Sequence, residues 1–427
     1  MKDNKTTLRN SLIIGSAIFS MFFGAGNMIF PPYLGFVSGN EWFAGFLGYY
    51  IADIGLALIA LISLAKFGGF KKVFSPIGSF FGTVIMFAIV LCIGPIITLP
   101  RTAATTFELS VLPLAKNFNM VIFYIIFFLA VLFLCIKKSA VVDIVGKILT
   151  PLLLAGLLGL IIIGIINPLG EWNNPPHISS VIGEGIEAGY QSMDVLATVI
   201  FGVLIFDSIT NKGYNKPNEK TKVAVLSGGF AGIALMIVYL GMTFLGATAS
   251  GQYNMHIGRT EFLVNIIKRL VPGNFGLIFF GIIVGLACLS TAIALTSSAA
   301  EYIANFSKNK ISYKVMVIII CIFGTVVSCL GVEGLIKLGS PILNLVYPPV
   351  LTLILMSFLQ DKVSIWSHRL AVIASFSVSL ISILFTFSNA FRFINYLPLR
   401  SFGLEWVLPT IIFAIIGAFI KEKKVTE

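Results

Sequence analysis

Charged residues are scarce in this sequence: they make up 11% of its 427 residues, whereas a soluble domain carries about a quarter. Hydrophobic residues make up 57%, and the mean hydropathy is +0.99. A bilayer-spanning helix needs about 20 apolar residues, so about twelve such helices with short loops account for nearly the whole chain. No length remains for an ATPase module, a large sensor domain or a soluble enzyme on a membrane anchor.

The sequence also lacks the residue patterns of catalytic and metal-binding sites. Its three histidines (His177, His256 and His368) fall in predicted loops, and its five cysteines show no metal-ligand spacing. No phosphate-binding loop is present, so we expect an ion gradient rather than ATP to drive any transport. We therefore expect no enzyme activity, no cofactor and no metal other than a coupling cation. The net charge of +11 suggests basic cytoplasmic loops rather than nucleic-acid binding.

The apolar residues fall into twelve runs separated by polar segments: 11–36, 43–65, 83–106, 119–136, 148–166, 187–209, 223–247, 274–300, 314–331, 338–358, 370–390 and 403–420. We predict a spanning helix for each run, because open strands cannot cross lipid. With a cytoplasmic N-terminus, 21 of the 29 Lys and Arg residues fall in inside segments and 8 in outside segments. This split follows the positive-inside rule and predicts that both termini are cytoplasmic.

The middle of the first span contains helix-disfavouring residues, Gly24 and Gly26, followed by the polar Asn27. Glycine inside a helix costs about 1 kcal/mol relative to alanine, and unwound backbone is tolerated at membrane depth only beside protein or a cavity. The pattern predicts two half-helices. The free amides of the outer half suit a carboxylate, and the free carbonyls of the inner half suit Na⁺ or an ammonium group. A close-packed glycine patch between helices is the alternative.

The sixth span opens on a similar feature, Gly189-Tyr190-Gln191-Ser192-Met193-Asp194. Spans 1 and 6 enter the membrane in opposite directions, so matching interruptions suggest inverted repeats with a site between them. An ionisable residue such as Asp194 in a span suggests function, either as counter-ion to a cationic substrate group or in ion coupling. The alternative is an acid at the outer water interface.

The eighth span carries two adjacent hydroxyls, Ser290 and Thr291, which either bond back to their own helix or join a cation site. Beside an unwound span 1, these hydroxyls and three carbonyls would form a five-oxygen cage, and hard cations prefer oxygen ligands.

Three weaker signals remain. Gly94 and Arg101 adjoin prolines that kink span 3, and both are candidates to line the site. Asp53 lies in the middle of span 2, where we expect it to pair with a neighbouring polar group. Residues Arg259–Leu270 are predicted to form a short amphipathic helix that covers the outer vestibule.

Four stretches resemble, in order, motifs of the bacterial branched-chain amino acid carriers, a family of cation symporters: Phe22 to Pro32, Gly94 to Ala103, Gly189 to Gly202 and Ala287 to Glu301. The resemblance covers nearly the whole chain, 1–427, as one membrane domain. It implies an all-helical, leucine-transporter-type fold with two inverted five-span repeats, about 10–166 and 187–358, and two extra spans at about 370–420. It also implies a bacterial inner-membrane protein, which we expect to be a monomer.

The resemblance further implies roles for individual residues. The substrate set that we predict comprises Gly24, Ala25, Gly26, Asn27, Gly94, Tyr190, Gln191, Ser192 and Asp194, with the substrate carboxylate at the amides of Ala25 and Gly26. The implied sodium ligands are the carbonyls of Ser20, Phe23 and Ala287 and the hydroxyls of Ser290 and Thr291.

The sequence departs from the pattern of the superfamily's sodium:leucine symporter at two places. Phe30 replaces the arginine of the outer gate, so we expect the gating charge from another residue, for which Arg101 is a candidate. Span 3 also shows no tyrosine near its middle, which puts the usual contact between the substrate carboxylate and a phenol in doubt.

The resulting hypothesis is a Na⁺-coupled symporter that imports leucine, isoleucine and valine. Two alternatives stay open, namely coupling to H⁺ and transport of another small amino acid or solute. A channel or a membrane-embedded receptor is less well supported, because few polar residues line the predicted helices.

Overall fold

The structure, a computed structural model, describes residues 4–136, 150–387 and 389–420. All regular secondary structure in these residues is helical. The α-helices are α1 (Asn4–Phe22), α2 (Ala25–Ser38), α3 (Trp42–Tyr50), α4 (Leu56–Phe67), α5 (Phe70–Val73), α6 (Ser79–Leu91), α7 (Thr98–Thr106), α8 (Met120–Ile136), α9 (Thr150–Ile166), α10 (Val181–Ser192), α11 (Asp194–Asn211), α12 (Pro217–Thr248), α13 (Arg259–Leu270), α14 (Asn274–Phe306), α15 (Tyr313–Ser328), α16 (Gly331–Ser357), α17 (Ile365–Phe387) and α18 (Val407–Ala418).

Each of the twelve apolar runs corresponds to one helix or to one interrupted pair of helices, which confirms the predicted all-helical membrane fold. Within the residues that the structure describes, seven stretches are long and apolar enough to cross a membrane, and four shorter apolar helices accompany them. Large apolar side chains face outward at helical spacing, as on α8, where Ile122, Ile126, Leu129 and Phe133 are each more than half exposed. Such a surface suits contact with lipid.

Some sequence predictions fall outside the described residues. These are the positions of seven basic residues in the charge count (Lys2, Lys137, Lys138, Lys147, Lys421, Lys423 and Lys424) and the start of the fifth run, 148–149. The proposed repeat boundaries and the orientation of the termini therefore stay predictions.

Spans 1 and 6 are both interrupted, as predicted: α1 and α2 form span 1, and α10 and α11 form span 6. Spans 2 and 3 are also irregular, because π-helical turns lie at Ile51–Gly55, Cys92–Ile96 and Phe107–Val111. Such turns occur frequently at functional sites. The four irregular spans supply most of the polar site described below.

The outer half of span 1 packs closely against span 7, which is α12. A Cβ atom on Gly35 would overlap the carbonyl of Thr243, and a Cβ on Gly246 would overlap the carbonyl of Pro32. Glycine at both positions is therefore required for the two backbones to touch. This reciprocal contact fixes α2 on α12, whereas the break at Gly24 separates α2 from α1.

Candidate functional site

The interruption of span 1 frees backbone groups on both sides. Phe23 and Gly24 are not helical, and the Gly24 amide donates to the Phe22 carbonyl at 2.8 Å, so Ser20 loses its usual helical donor. Gly24 precedes α2 in an extended conformation (φ −110°, ψ −167°) and offers no side-chain cap. The first amides of a helix have no acceptor within it. The amides at the start of α2 therefore point toward the break with the positive end of the helix dipole.

Span 6 is interrupted at one residue, Met193, which is in the left-handed conformation (φ 69°, ψ 16°). A residue with a side chain pays about 1–3 kcal/mol for such a conformation, which persists only where the surroundings enforce it. Here Met193 is buried, and its Sδ accepts a hydrogen bond from the Thr98 hydroxyl at 3.0 Å. The interruption is thus held in place by span 3.

Side chains from four spans join the two interruptions. Asn27 Nδ2 donates to Asp194 Oδ2 at 2.8 Å and also to the hydroxyl of Tyr239 on span 7. Tyr49 on span 2 shares a hydrogen bond of 2.8 Å with Ser192. Asp194 is only 4% exposed, so the alternative of an acid at the outer water interface is wrong.

Asp53 completes this polar cluster from the π-helical turn of span 2. It is fully buried, and neither carboxyl oxygen has a hydrogen-bond partner of acceptable geometry among the described residues. Its electrostatic neighbours are the carboxyl group of Asp194, the hydroxyl of Tyr49 and the guanidinium of Arg101. Two neighbouring buried carboxylates cannot both be charged without a proton or a cation between them. The neighbouring polar group expected for Asp53 is therefore a second acid, Asp194.

Arg101 reaches the same cluster from α7. Its side chain is 1% exposed, and its single hydrogen bond among the described residues runs from Nη1 to the Gln191 carbonyl at 2.7 Å. Nε is buried without a partner, and Nη2 lies 2.9 Å from the position that a Cβ on Gly26 would occupy. Neither ion pair in the described part of the chain involves Arg101.

The remaining predicted substrate residues take different positions. Tyr190 stacks on Tyr347 of α16, with ring centroids 4.5 Å apart, and therefore faces span 10. A Cβ on Gly94 would lie 3.1 Å from the Cβ of Ala299 and would meet nothing else within 4 Å. Gly94 thus packs on span 8, and this contact does not bring it to either interruption.

The two hydroxyls of span 8 bond back to their own helix. The Ser290 and Thr291 hydroxyls both donate to the Ala287 carbonyl, at 2.8 and 3.0 Å. A donating hydroxyl keeps its lone pairs for a cation. The methyl carbon of Thr291 lies 3.8 Å from the Cβ position of Gly24, so this part of span 8 does face the interruption of span 1.

Two cavities approach span 6 from opposite sides of its interruption. One, of about 870 Å³, is lined by residues including Tyr190, Glu184, Ser340, Arg400 and Trp406. The other, of about 810 Å³, is lined by residues including Met86, Val90, Val199, Asp207 and Glu301 from spans 3, 6 and 8. The interruption at Met193 lies between Tyr190 and Val199 along the chain. Neither cavity is lined by Asn27, Asp53, Arg101 or Asp194 of the polar cluster.

The predicted amphipathic helix, α13, is present and is tied to the end of span 3 and to the start of span 10. Arg259 Nη1 forms an ion pair of 2.6 Å with Glu333 Oε2. Glu108 accepts hydrogen bonds from the Thr260 hydroxyl at 2.5 Å and from the Val332 amide at 2.9 Å. The guanidinium that pairs at this outer cover is therefore that of Arg259 and not that of Arg101.

Sequence reasoning missed three contributors to these contacts, namely Tyr49, Tyr239 and the pair of Arg259 with Glu333. Tyr49 and Asp53 are four residues apart, so they lie on one face of span 2. That spacing of two polar groups in an apolar run is the signal that would have found Tyr49. No comparable local signal marks Tyr239.

The chain resembles known transport proteins along nearly its whole length. The sequence profile of a family described as branched-chain amino acid transport protein matches residues 7–424. A protein of Staphylococcus haemolyticus (strain JCSC1435), assigned by its name to the branched-chain amino acid carriers, is 35% identical over 445 residues, covering 97% of this chain and 98% of that protein. A carrier so named from Staphylococcus aureus (strain USA300) is 32% identical over 439 residues, with the same coverage of 97% and 98%.

Solved transporter structures share the fold. The inward-facing conformation of Mhp1 matches with a TM-score of 0.62 and 14% identity, over 95% of this chain and 89% of that one. A Na⁺-coupled sialic acid symporter in a substrate-bound outward-open state has a TM-score of 0.62 and 13% identity, over 98% and 91%. MhsT in complex with L-phenylalanine has a TM-score of 0.56 and 16% identity, over 98% and 99%. These likenesses confirm the predicted leucine-transporter-type fold.

Proposed function

Because the chain belongs to the branched-chain amino acid transport protein family, we propose that this secondary transporter imports leucine, isoleucine and valine together with Na⁺. The observation that carries the proposal is the junction of the two interrupted spans. There the free amides of α2 lie next to Arg101, and Asn27 bonds Asp194. A zwitterion needs one positive and one negative partner, and both are buried here.

In this proposal the substrate carboxylate binds the amides of Ala25 and Gly26, where the dipole of α2 favours negative charge. Its ammonium group binds Asp194, with the carbonyls around the span 6 interruption as further acceptors. The aliphatic side chain then needs only apolar walls. One methylene changes affinity by about 1–3 kcal/mol in such a pocket, so the three substrates should compete with one another.

The proposed Na⁺ ligands are the carbonyls of Ser20, Phe23 and Ala287 with the hydroxyls of Ser290 and Thr291. Two observations support this choice: the Ser20 carbonyl lacks its helical donor, and Thr291 lies beside Gly24. The pair of buried acids, Asp53 and Asp194, favours proton coupling as the second candidate. We further propose that the chain is a monomer in the bacterial inner membrane with both termini in the cytoplasm.

Uptake of radiolabelled leucine into proteoliposomes tests the proposal when Na⁺ and H⁺ gradients are imposed separately. We expect an inward Na⁺ gradient at equal pH to drive accumulation, and an Na⁺ ionophore to abolish it. Isoleucine and valine should inhibit uptake, whereas glutamate should not. Accumulation driven by a pH gradient in the absence of Na⁺ would replace the sodium mechanism with proton coupling.

A further inference from the structure

We infer that Arg101 is a direct ligand of the substrate carboxylate and distinguishes ligands that carry this group from ligands that lack it. This inference rests on the proposed amino acid transport. The first reason is the state of its guanidinium. Nη1 is engaged by the Gln191 carbonyl at 2.7 Å, so the edge formed by Nε and Nη2 remains. Nε on this edge is buried and has no acceptor in the described residues.

The orientation of the free edge supplies the second reason. Nη2 lies 2.9 Å from the Cβ position of Gly26, and the guanidinium carbon lies 3.4 Å from it. The edge therefore lies beside the start of α2, whose free amides are the proposed carboxylate site. An arginine edge with two parallel N–H groups matches a carboxylate in a bidentate manner. A lysine at this position would present a single point of charge.

Local charge supplies the third reason. A buried cation without an ion-pair partner is costly, and here it also adjoins the positive end of a helix dipole. Asp194 and Asp53 are close enough to interact with it electrostatically, but neither is within ion-pair distance, and Asp194 accepts its hydrogen bond from Asn27. An incoming carboxylate would neutralise Arg101 and the α2 terminus together. Span 3, which has no tyrosine near its middle, thereby supplies a cation for the carboxylate.

The test compares leucine with leucinol, which keeps the ammonium group and the side chain but has no carboxylate. Binding to the purified full-length protein is measured for the wild type, R101Q and R101K, and for R259Q as a matched control. Arg259 is also an arginine near Phe30, but it already has a carboxylate partner in Glu333. Stability and monodispersity of each variant are measured in parallel.

We expect the wild type to bind leucine at least 100-fold more tightly than leucinol. R101Q should weaken leucine binding by about 10- to 100-fold, because it removes charge-assisted hydrogen bonds to the carboxylate. It should leave leucinol binding within threefold, so the discrimination between the two ligands falls by about as much as leucine binding does. R101K should be intermediate, and R259Q should keep the wild-type ratio. If R101Q does not fold, R101K and the ligand pair on the wild type decide the question.

The inference is overturned if R101Q weakens leucine and leucinol equally, which indicates a structural role, or if it leaves leucine binding unchanged. A wild type that binds leucinol as well as leucine overturns it too. If the wild type binds another amino acid and not leucine, the proposed substrate is wrong, and Arg101 is then tested with that amino acid and its alcohol. If the wild type binds no amino acid, both proposals fail.

Discussion

Two arginines flank the ring of Phe30, and they differ in how their charge is balanced. Arg259 lies 6.0 Å from the ring centroid and forms an ion pair of 2.6 Å with Glu333 in a partly exposed position. Arg101 lies 5.5 Å from the same centroid, is 1% exposed and has no carboxylate partner among the described residues. The charge of Arg259 is thus balanced by Glu333, although its Nε, like that of Arg101, has no acceptor among the described residues. In our proposal, the charge of Arg101 is instead balanced by the carboxylate of a substrate that binds and dissociates.

The ring of Phe30 lies near both guanidinium groups, and the one that is paired with a carboxylate belongs to α13. The pairing is partly exposed, and ion pairs of this kind contribute about 0.2–1 kcal/mol. A weak pair can open in every transport cycle. Arg101 could not form and break such a weak pair in the same way, because its surroundings exclude water.

The largest expected effect comes from filling the space between Arg101 and α2. G26L should abolish leucine uptake while the protein remains in the membrane, because even a Cβ would come within 2.9 Å of Nη2. The matched control is G229L on α12, where a Cβ meets nothing within 4 Å and uptake should persist. Uptake in proteoliposomes with equal amounts of protein is the measurement. Normal transport by G26L would show that the inner arginine does not belong to the substrate site.

The next effect concerns the cation on the other side of the span 1 interruption. The double variant S290A/T291A removes two of about five proposed ligands, so we expect half-maximal uptake to need at least tenfold more Na⁺. Leucine affinity should fall at low Na⁺ and recover at high Na⁺, because coupling between two ligands is reciprocal.

The control for this variant is S307A, which removes a hydroxyl that makes a similar back-bond, to the Ala304 carbonyl, beyond the end of α14. Its Na⁺ dependence should match that of the wild type. An unchanged Na⁺ requirement in S290A/T291A would remove the sodium site and make proton coupling the leading mechanism.

A smaller effect tests directly whether Arg101 has a partner inside the protein. D194N should raise half-saturating leucine by about tenfold, because it removes a charged acceptor for the ammonium group. In the double variant D194N/R101Q, the free-energy loss in leucinol binding should be close to the sum of the losses in the two single variants. A strong coupling, or rescue of folding in the double variant, would mean that Asp194 balances Arg101 and that the comparison between the two arginines is wrong.

The smallest effect is expected at the outer pair. R259Q and E333Q should each change half-saturating leucine by less than threefold, and the double variant should resemble either single variant, because both remove the same partly exposed interaction. Uptake kinetics over a range of leucine concentrations measure this. A loss as large as that of R101Q would mean that Arg259 also contacts substrate.

The sequence predicts interruptions better than it predicts the contacts between them. The break at Gly24 and the buried acid at Asp194 follow from local composition, because glycine and a charge in an apolar run are costly wherever the helix lies. The bonds from Asn27 to Asp194 and Tyr239 join residues that are 167 and 212 positions apart. Such contacts depend on which helix faces meet, and apolar periodicity is weak when a helix is hydrophobic all round.

Gly94 and Arg101 illustrate the same limit within one span. Both adjoin a proline kink, so the sequence treats them alike, yet Gly94 packs on Ala299 whereas Arg101 reaches Gly26. The irregular turn at Cys92–Ile96 contains Gly94, whose dihedral angles are not helical (φ −80°, ψ −114°), and it interrupts the regular helical rotation of span 3 before Arg101. A change in rotation of this kind has no reliable signature in a single sequence.

The reciprocal glycine contact between α2 and α12 has a mechanical consequence. Because Gly35 lies against Thr243 and Gly246 lies against Pro32, the backbones of the two helices are in direct contact at these positions, and no side chain separates them. The 14 residues of α2 form a helix roughly 20 Å long, which can pivot about the non-helical residues before it, Phe23 and Gly24. A small tilt of α2 at Gly24 would thus displace Ser38, at the far end of the helix, by several ångströms.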